Sequence, residues 1–327
     1  MISTPRRTLA VLAALCFTVG LAACGDDDKA DSGSSGASTP AADGKAIQRD
    51  PANASKPTIT VGSKNFPEQF ILGEIYAQTL EAQGFKVKRR LNIGAEQVAY
   101  KALKGGSIDM YPEYTGTALI NFFNVKAVDV PKDADEAADL ARQNYAKDGI
   151  TALKRTPFEN TYIVTSTKAT ADKAGNPKTL SELITKSPKL SISGFPECRQ
   201  RQDCLLGLRS LYGFKGKFIS SDGQYNDLDQ GQSQLTLAFG TDAQLALKDK
   251  YVAYPDDKGL FPPYNITLAV RDEAAKSLGP KAIETLEAVQ EGMTEEAMRE
   301  LNRRVALDKQ EPKKVAASYL SEEGFVS

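Results

Sequence analysis

No histidine occurs among the 327 residues of this chain. Histidine is the commonest general base and a common metal ligand, so its absence excludes a Ser-His-Asp triad and a Cys-His pair. The Gly-x-Ser-x-Gly motif that carries the nucleophile of many hydrolases is absent as well. Carboxylates alone can support catalysis, so a hydrolase stays as a minor alternative.

The chain has no excess of charge of one sign. It contains 41 basic and 42 acidic residues, and its formal net charge is −1. A basic surplus is the usual footprint of nucleic-acid binding, so no nucleic-acid partner is predicted. No P-loop motif is present, and beyond the N-terminus no apolar run approaches the ~20 residues that span a bilayer.

The N-terminus has the layout of a secretory signal. Arg6 and Arg7 precede an apolar run over residues 9–21, and Ala22 and Ala23 stand before Cys24. The string LAAC resembles a bacterial lipobox, in which the cysteine is acylated and becomes the new N-terminus. We expect a signal peptide over 1–23 and a lipid on Cys24, which would hold the protein on the outer face of the cytoplasmic membrane without spanning it. The alternative is an ordinary signal with an incidental cysteine.

Residues 24–56 are predicted to form a flexible tether. They include three successive aspartates at 26–28 and a Ser/Gly run at 32–36, and they show no apolar periodicity. Such a segment has no face to bury, so disorder is the expected state.

Two of the four cysteines, Cys198 and Cys204, remain in the body once Cys16 leaves with the signal and Cys24 takes lipid. Outside the cytoplasm a disulfide between them is the natural interpretation. A thiol metal site is the alternative, but two cysteines without histidine offer too few ligands for zinc. No metal or other cofactor is expected.

Short apolar runs alternate with amphipathic segments along the body, which predicts βαβ units and mostly parallel sheets. A second α/β block begins with a strand at 161–166, and residues 280–320 are predicted to be helical throughout. We expect two lobes with a ligand cleft between them. Lobe 1 would comprise residues 57–158 and 266–327, and lobe 2 residues 159–265.

Aromatic residues stand beside strand ends at four places, which are residues 111–117, 160–162, 239–242 and 261–264. Tyrosines in such positions can enclose a cation through π contacts. Lys64, Arg199 and Arg201 are basic residues that could hold a carboxylate. Each ring could equally be an ordinary half-buried ring, and each charge a solvated one.

Several strings occur in a characteristic order and spacing. They are VGSKNFPEQ at 61–69, LGE at 72–74, ALKGGSIDMYPEYTGT at 102–117, DDKG at 256–259 and FPPY at 261–264. Together with the spacing of the Cys198–Cys204 loop, they resemble the osmoprotectant-binding proteins of bacterial ABC importers. Those proteins take glycine betaine, choline, carnitine and similar quaternary amines, and the resemblance covers residues 58–320.

The resemblance implies the two-lobed periplasmic-binding-protein fold, an α/β fold of the type II class with two crossover strands. It also implies a trimethylammonium head held in an aromatic cage and a carboxylate held by polar and basic groups. By position, the cage comprises Tyr114, Tyr162, Phe239 and Tyr264, with Asn160 beside it. The polar side comprises Ser63, Lys64, Thr117 and Arg201. Phe239 stands where the family usually has tyrosine, so it keeps the π face without the hydroxyl.

We therefore predict a lipid-anchored, extracytoplasmic substrate-binding protein of an ABC importer that serves osmoprotection. Glycine betaine is the first expected ligand, and choline and carnitine are further ones. The protein would be a monomer without catalytic activity that closes its lobes on the ligand and docks on a membrane permease. The alternatives are a binding protein of the same fold for another small amine or amino acid, and an extracytoplasmic hydrolase.

Overall fold

The computed structural model describes residues 45–327. The predicted signal peptide, Cys24 and residues 24–44 of the tether lie outside these residues. No helix within 45–327 has both the length and the apolar character needed to cross a membrane. The strands are β1 (Ile59–Gly62), β2 (Val87–Arg90), β3 (Met110–Tyr114), β4 (Ile150–Glu159), β5 (Tyr162–Thr167), β6 (Ile192–Gly194), β7 (Phe218–Ser220), β8 (Leu235–Phe239), β9 (Tyr251–Tyr254) and β10 (Asn265–Arg271).

The α-helices follow the same alternation and end in a helical C-terminal segment. They are α1 (Pro67–Ala82), α2 (Glu96–Lys104), α3 (Thr115–Asn121), α4 (Ala134–Lys147), α5 (Lys168–Lys173), α6 (Leu180–Lys186), α7 (Leu205–Tyr212), α8 (Gln224–Asp229), α9 (Asp272–Leu278), α10 (Pro280–Glu291), α11 (Glu295–Ala306) and α12 (Pro312–Glu322).

The strands form two five-stranded sheets of related topology, with the orders β2-β1-β3-β10-β4 and β7-β6-β8-β5-β9. In the first sheet β1 is parallel to β2 and β3, whereas β10 is antiparallel to β3 and β4. In the second sheet β6 is parallel to β7 and β8, whereas β5 is antiparallel to β8 and β9. We call each sheet with its helices a lobe. The chain crosses between β4 and β5 and returns between β9 and β10, so the predicted fold class is confirmed.

The sheets are less parallel than the sequence predicted. The strands β5 and β10 each enter a sheet directly from the other lobe, and each runs against both of its neighbours. The neighbouring strands end at the cleft, whereas β5 and β10 begin at it. Each crossover strand must therefore be antiparallel to its neighbours. The crossovers therefore account for the antiparallel pairs.

The core of the first lobe is built around α1, which the C-terminal helices cover. Ile71, Leu72 and Ile75 are fully buried, and the Tyr76 hydroxyl donates to Gln290 Oε1 at 3.0 Å. The prediction of uninterrupted helix over 280–320 is wrong. Gly292 caps the end of α10, the Thr294 side chain accepts from Ala297 N at 3.2 Å to begin α11, and Pro312 begins α12.

Residues 47–56 pack on the body, which differs from the flexible tether predicted over 24–56. Ile47 N donates to Phe325 O at 2.8 Å, and Asp50 N donates to Gln83 O at 3.1 Å. The buried Asn53 amide also donates to Gln83 O, at 2.9 Å. These bonds satisfy a carbonyl at the end of α1 that would otherwise have no helical partner.

Candidate functional site

A cavity lies between the lobes, at the carboxyl ends of β1, β3 and β8, with about 430 Å³ of empty space that is partly open to solvent. Ligands usually bind at this edge in open α/β sheets. All but one of the site residues expected from the sequence line it: Lys64, Tyr114, Thr117, Asn160, Tyr162, Arg201, Phe239 and Tyr264. The lining also includes residues that the sequence prediction left out: Asn65, Phe66, Ala95, Glu96, Phe195 and Glu197.

Ser63 is the expected site residue that does not line this cavity. It is fully buried, its hydroxyl donates to Lys64 O at 3.0 Å and it accepts from Asn92 N at 3.0 Å. Ser63 therefore shapes the loop between β1 and α1 that carries Lys64.

Six aromatic rings form a continuous cluster along the cavity. Phe239 is central, with ring centroids 5.1 Å from Tyr162, 5.8 Å from Phe66 and 6.0 Å from Phe195. Tyr264 joins through Tyr162 at 5.8 Å, and Tyr114 joins through Phe66 at 6.1 Å. The four rings expected from the sequence are thus brought together, and Phe66 and Phe195 complete the set.

The sequence context of Phe66 and Phe195 could have identified both as site residues. Phe66 ends the string SKNF in the loop that holds Lys64, and Phe195 precedes Pro196 in the loop that holds the cysteines. Phe66 directly precedes α1 in the loop after β1, and Phe195 directly follows β6, so each lies at an end of its sheet that faces the cleft. Their aromatic type at those positions could have placed them in the site.

Glu68 is a buried carboxylate that joins both lobes. It accepts four hydrogen bonds, from Tyr114 Oη at 2.6 Å, Asn160 Nδ2 at 2.8 Å, Thr241 Oγ1 at 2.5 Å and Asn302 Nδ2 at 2.8 Å. Its side chain belongs to α1 of the first lobe, and Thr241 follows β8 of the second. The hydroxyl and amide donors neutralise the cost of burying the charge.

The Arg201 guanidinium forms a second buried cluster. Its Nε and Nη2 donate to the two oxygens of Asp203 at 2.9 and 2.5 Å, and its Nη2 also donates to Thr117 Oγ1 at 3.3 Å. Tyr264 Oη donates to the same Asp203 carboxylate at 2.5 Å. We expected Arg201 to hold a ligand carboxylate. Its bidentate hydrogen bonds are instead made to Asp203.

The disulfide between Cys198 and Cys204 is present, as predicted, and both cysteines are buried. Arg201 lies within the bridged loop, and its backbone N–H donates to Cys198 O at 3.3 Å. Arg199, in contrast, is exposed and donates to Ser220 Oγ at 3.0 Å.

Lys64 is paired as well. Its ammonium forms a buried ion pair with Glu113 and lies 4.4 Å from the centroid of the Tyr114 ring. An ammonium has three donor hydrogens, so pairing with Glu113 leaves donors for a ligand.

The phenols of Tyr114 and Tyr264 stay protonated at neutral pH. Burial, together with the charge of Glu68, raises the pKa of Tyr114 well above its usual range. Burial and the charge of Asp203 do the same for the pKa of Tyr264. Each phenol therefore donates a hydrogen bond to a carboxylate, which draws negative charge toward the ring face.

Comparison with solved structures supports the class that the fold and cleft define. The crystal structure of a glycine betaine/carnitine/choline ABC transporter protein superimposes with a TM-score of 0.66 at 23% identity, over 81% of this chain and 98% of that one. The apo structure of YehZ from Escherichia coli gives a TM-score of 0.61 at 25% identity, over 82% and 99%. The molecule has the fold of an extracytoplasmic solute-binding protein.

The sequence identifies the family. Residues 57–322 match the substrate binding domain of ABC-type glycine betaine transport systems, and the chain belongs to this family. It is 30% identical to a glycine-betaine-binding protein of Pseudomonas aeruginosa over 82% of this chain and 89% of that protein. It is 31% identical to the ergothioneine transport permease/ergothioneine binding protein EgtU of Helicobacter pylori over 84% of this chain. This chain spans 49% of EgtU. The predicted family is confirmed, and the protein is a solute-binding protein rather than an enzyme.

Proposed function

We propose that this protein captures a quaternary-ammonium solute outside the cytoplasm and delivers it to a membrane permease. The trimethylated head would lie among the six rings, with Asn160 beside it. The observation that carries the proposal is the aromatic cluster, which reaches from Tyr114 through Phe239 to Tyr264 along one cavity. A methylated ammonium is weakly hydrated and can contact several ring faces at once.

Buried charge supports the same assignment. The carboxylates of Glu68 and Asp203 each accept from a cage phenol, at 2.6 and 2.5 Å. Both make the rings more electron-rich without occupying the space between them. Desolvated cation–π contacts are worth about 2 kcal/mol each, so several rings together can hold a cation without direct ion pairing.

Lys64 and Thr117 are the groups that would meet a carboxylate of the solute. Both line the cavity, and Lys64 keeps free donors beyond its pair with Glu113. Arg201 would contribute mainly by holding Asp203 and Thr117 in place. Glycine betaine, choline and carnitine all carry the required head, so each is a candidate ligand.

The test is isothermal calorimetry with matched ligands. Glycine betaine is compared with 3,3-dimethylbutanoate, in which a carbon replaces the nitrogen and the shape is kept. Choline is compared with 3,3-dimethylbutanol in the same way. We expect each ligand with a quaternary nitrogen to bind at least about tenfold more tightly than its carbon counterpart, a difference of ~1.4 kcal/mol. Equal binding within either pair would overturn the cation-binding role of the cage.

Lipid attachment at Cys24 and a monomeric state complete the proposal. They rest on the LAAC string and on the family, whose members serve membrane permeases. Intact-mass spectrometry should find a lipid on the parent protein and on Cys16→Ser, which alters only the signal, and none on Cys24→Ser. A parent protein without lipid would contradict the lipid anchor.

A further inference from the structure

Glu96 is a buried carboxylate with unused acceptors. It is 5% exposed, lies in the first turn of α2 and lines the cavity. Among residues 45–327, its side chain accepts no hydrogen bond, and its ion contact is with Arg201 Nη1 at 3.5 Å. A carboxylate buried without hydrogen bonds is costly, so a carboxylate in this position indicates a partner that arrives from outside the protein.

Arg201 Nη1 makes a long ion contact with this carboxylate, at 3.5 Å, but no hydrogen bond. The Nε and Nη2 of Arg201 are committed to Asp203 at 2.9 and 2.5 Å, which is a far closer pairing than the 3.5 Å to Glu96. Lys64 pairs with Glu113 and makes no hydrogen bond or ion pair with Glu96. Each basic group of the cavity wall therefore has a closer carboxylate partner, and Glu96 accepts no hydrogen bond from either of them.

Glu197 adds a second carboxylate to the same wall from the other lobe. It directly precedes Cys198, the first residue of the bridged loop, and is half-buried. Burial, reinforced by the charge of Glu96, raises the pKa of Glu197. Both glutamates line the same cavity, so the hydrogen-bond donors of one ligand can reach them.

We propose that Glu96 and Glu197 form a donor-recognising subsite, and that the preferred solute carries N–H or O–H donors on the arm away from its quaternary head. This inference rests on the proposed function and narrows its substrate class. Glycine betaine has no donor hydrogen at neutral pH, so its binding would leave Glu96 buried and unpaired. A betaine with a ring N–H, such as the imidazole-thione of ergothioneine, would satisfy both carboxylates and the cage.

The experiment measures two ligands on four proteins by calorimetry. The ligands are ergothioneine, which has ring N–H donors, and glycine betaine, which has none. The proteins are the parent chain, Glu96→Gln, Glu197→Gln and the control Glu296→Gln, an exposed residue of α11 away from the cavity. Thermal melting of each variant verifies that the fold is retained.

We expect the parent to prefer ergothioneine. Glu96→Gln should weaken ergothioneine at least about tenfold, which corresponds to ~1.4 kcal/mol, and glycine betaine less than twofold. Glu197→Gln should weaken ergothioneine at least about threefold, and Glu296→Gln should change neither ligand. The comparison of ligands is decisive because both carry the same quaternary head, so a purely electrostatic effect of Glu96 on that head would weaken both alike.

Three results would overturn the subsite: equal weakening of both ligands by Glu96→Gln, no weakening of either, or a parent that binds glycine betaine more tightly than ergothioneine. In each case binding of glycine betaine by the parent would leave the proposed function intact. A parent that binds neither ligand, nor choline or carnitine, would overturn the proposed function itself.

Discussion

Glu68 and Glu96 occupy comparable places in the first lobe, each in the first turn of a helix whose start borders the cleft. They are similarly buried, at 3% and 5% exposure. Glu68 accepts four hydrogen bonds from neutral donors of both lobes, whereas Glu96 accepts none from residues 45–327. Burial alone therefore does not separate a structural carboxylate from a binding one. The two glutamates differ in whether other residues of the protein donate hydrogen bonds to the carboxylate oxygens.

Asp242 is intermediate in the number of hydrogen bonds that its carboxylate accepts. Its Oδ2 accepts from Phe239 N at 2.9 Å and from Tyr225 Oη at 3.1 Å. These donors only partly offset burial, which together with the charge of Glu68 raises the pKa of Asp242 to about 7. Within residues 45–327, the side chains of Glu68, Asp242 and Glu96 thus accept four, two and no hydrogen bonds, respectively.

The largest expected effect is that of Glu68→Ala on stability. The substitution would leave four buried donors without an acceptor, so the free energy of unfolding should fall by about 3–5 kcal/mol. Glu96→Ala is the matched control and should cost within about 1 kcal/mol, because it removes no hydrogen bond within the described residues. Urea titration of both variants measures the difference. Equal losses would remove the distinction between the two glutamates.

The second prediction concerns the pH dependence set by Asp242. Between its ordinary pKa of 3.8 and about 7, the folded protein keeps the proton that the unfolded chain has released. Stability from this group is therefore complete below pH 3.8 and is lost as pH rises toward 7. One proton changes stability by at most ~1.4 kcal/mol per pH unit, so about 2 kcal/mol should be lost between pH 5 and pH 6.5. Denaturation curves of Asp242→Asn should lack this slope, and an identical slope in the variant would assign it to other groups.

The third prediction tests how far the Arg201 side of the cavity depends on its loop. Replacing Cys198 and Cys204 by serine opens a small loop and should lower the free energy of unfolding by about 2 kcal/mol. Ligand affinity should weaken as well, since the loop contains Arg201 and directly follows Glu197. Calorimetry before and after reduction of the parent gives the same comparison without mutation. Unchanged affinity would mean that the loop is held by its other contacts.

The smallest effect is expected for Tyr114→Phe. It removes one of the four donors to Glu68 and keeps the ring, so stability should fall by about 1 kcal/mol and ligand affinity by less than about threefold. Tyr114→Ala removes the ring and should weaken a quaternary-amine ligand at least about tenfold. If both variants lose affinity alike, the hydroxyl rather than the ring face carries the binding.

Much of the fold was predictable from local patterns. The strand β5, at Tyr162–Thr167, lies within one residue of the strand predicted at 161–166, because apolar periodicity and short-range propensity decide it. The strand β4 was not predicted, since residues 150–159 contain Lys154, Arg155 and Pro157. This strand is stabilised by pairing with β10, which lies more than a hundred residues later in the chain. Such long-range pairing leaves no periodic signal in the segment itself.

The sequence by itself determined the family, the class of fold and most of the rings that line the cavity, because those residues belong to strings of fixed spacing. Only the tertiary structure decided which charged side chains are paired with other groups of the protein. The partners of Glu68 are spread from Tyr114 to Asn302, and those of Arg201 come from both lobes. Hydrogen-bond satisfaction depends on distances of a few tenths of an ångström between distant segments. For that reason the structure assigns Arg201 to Asp203 and leaves Glu96 open to the cavity.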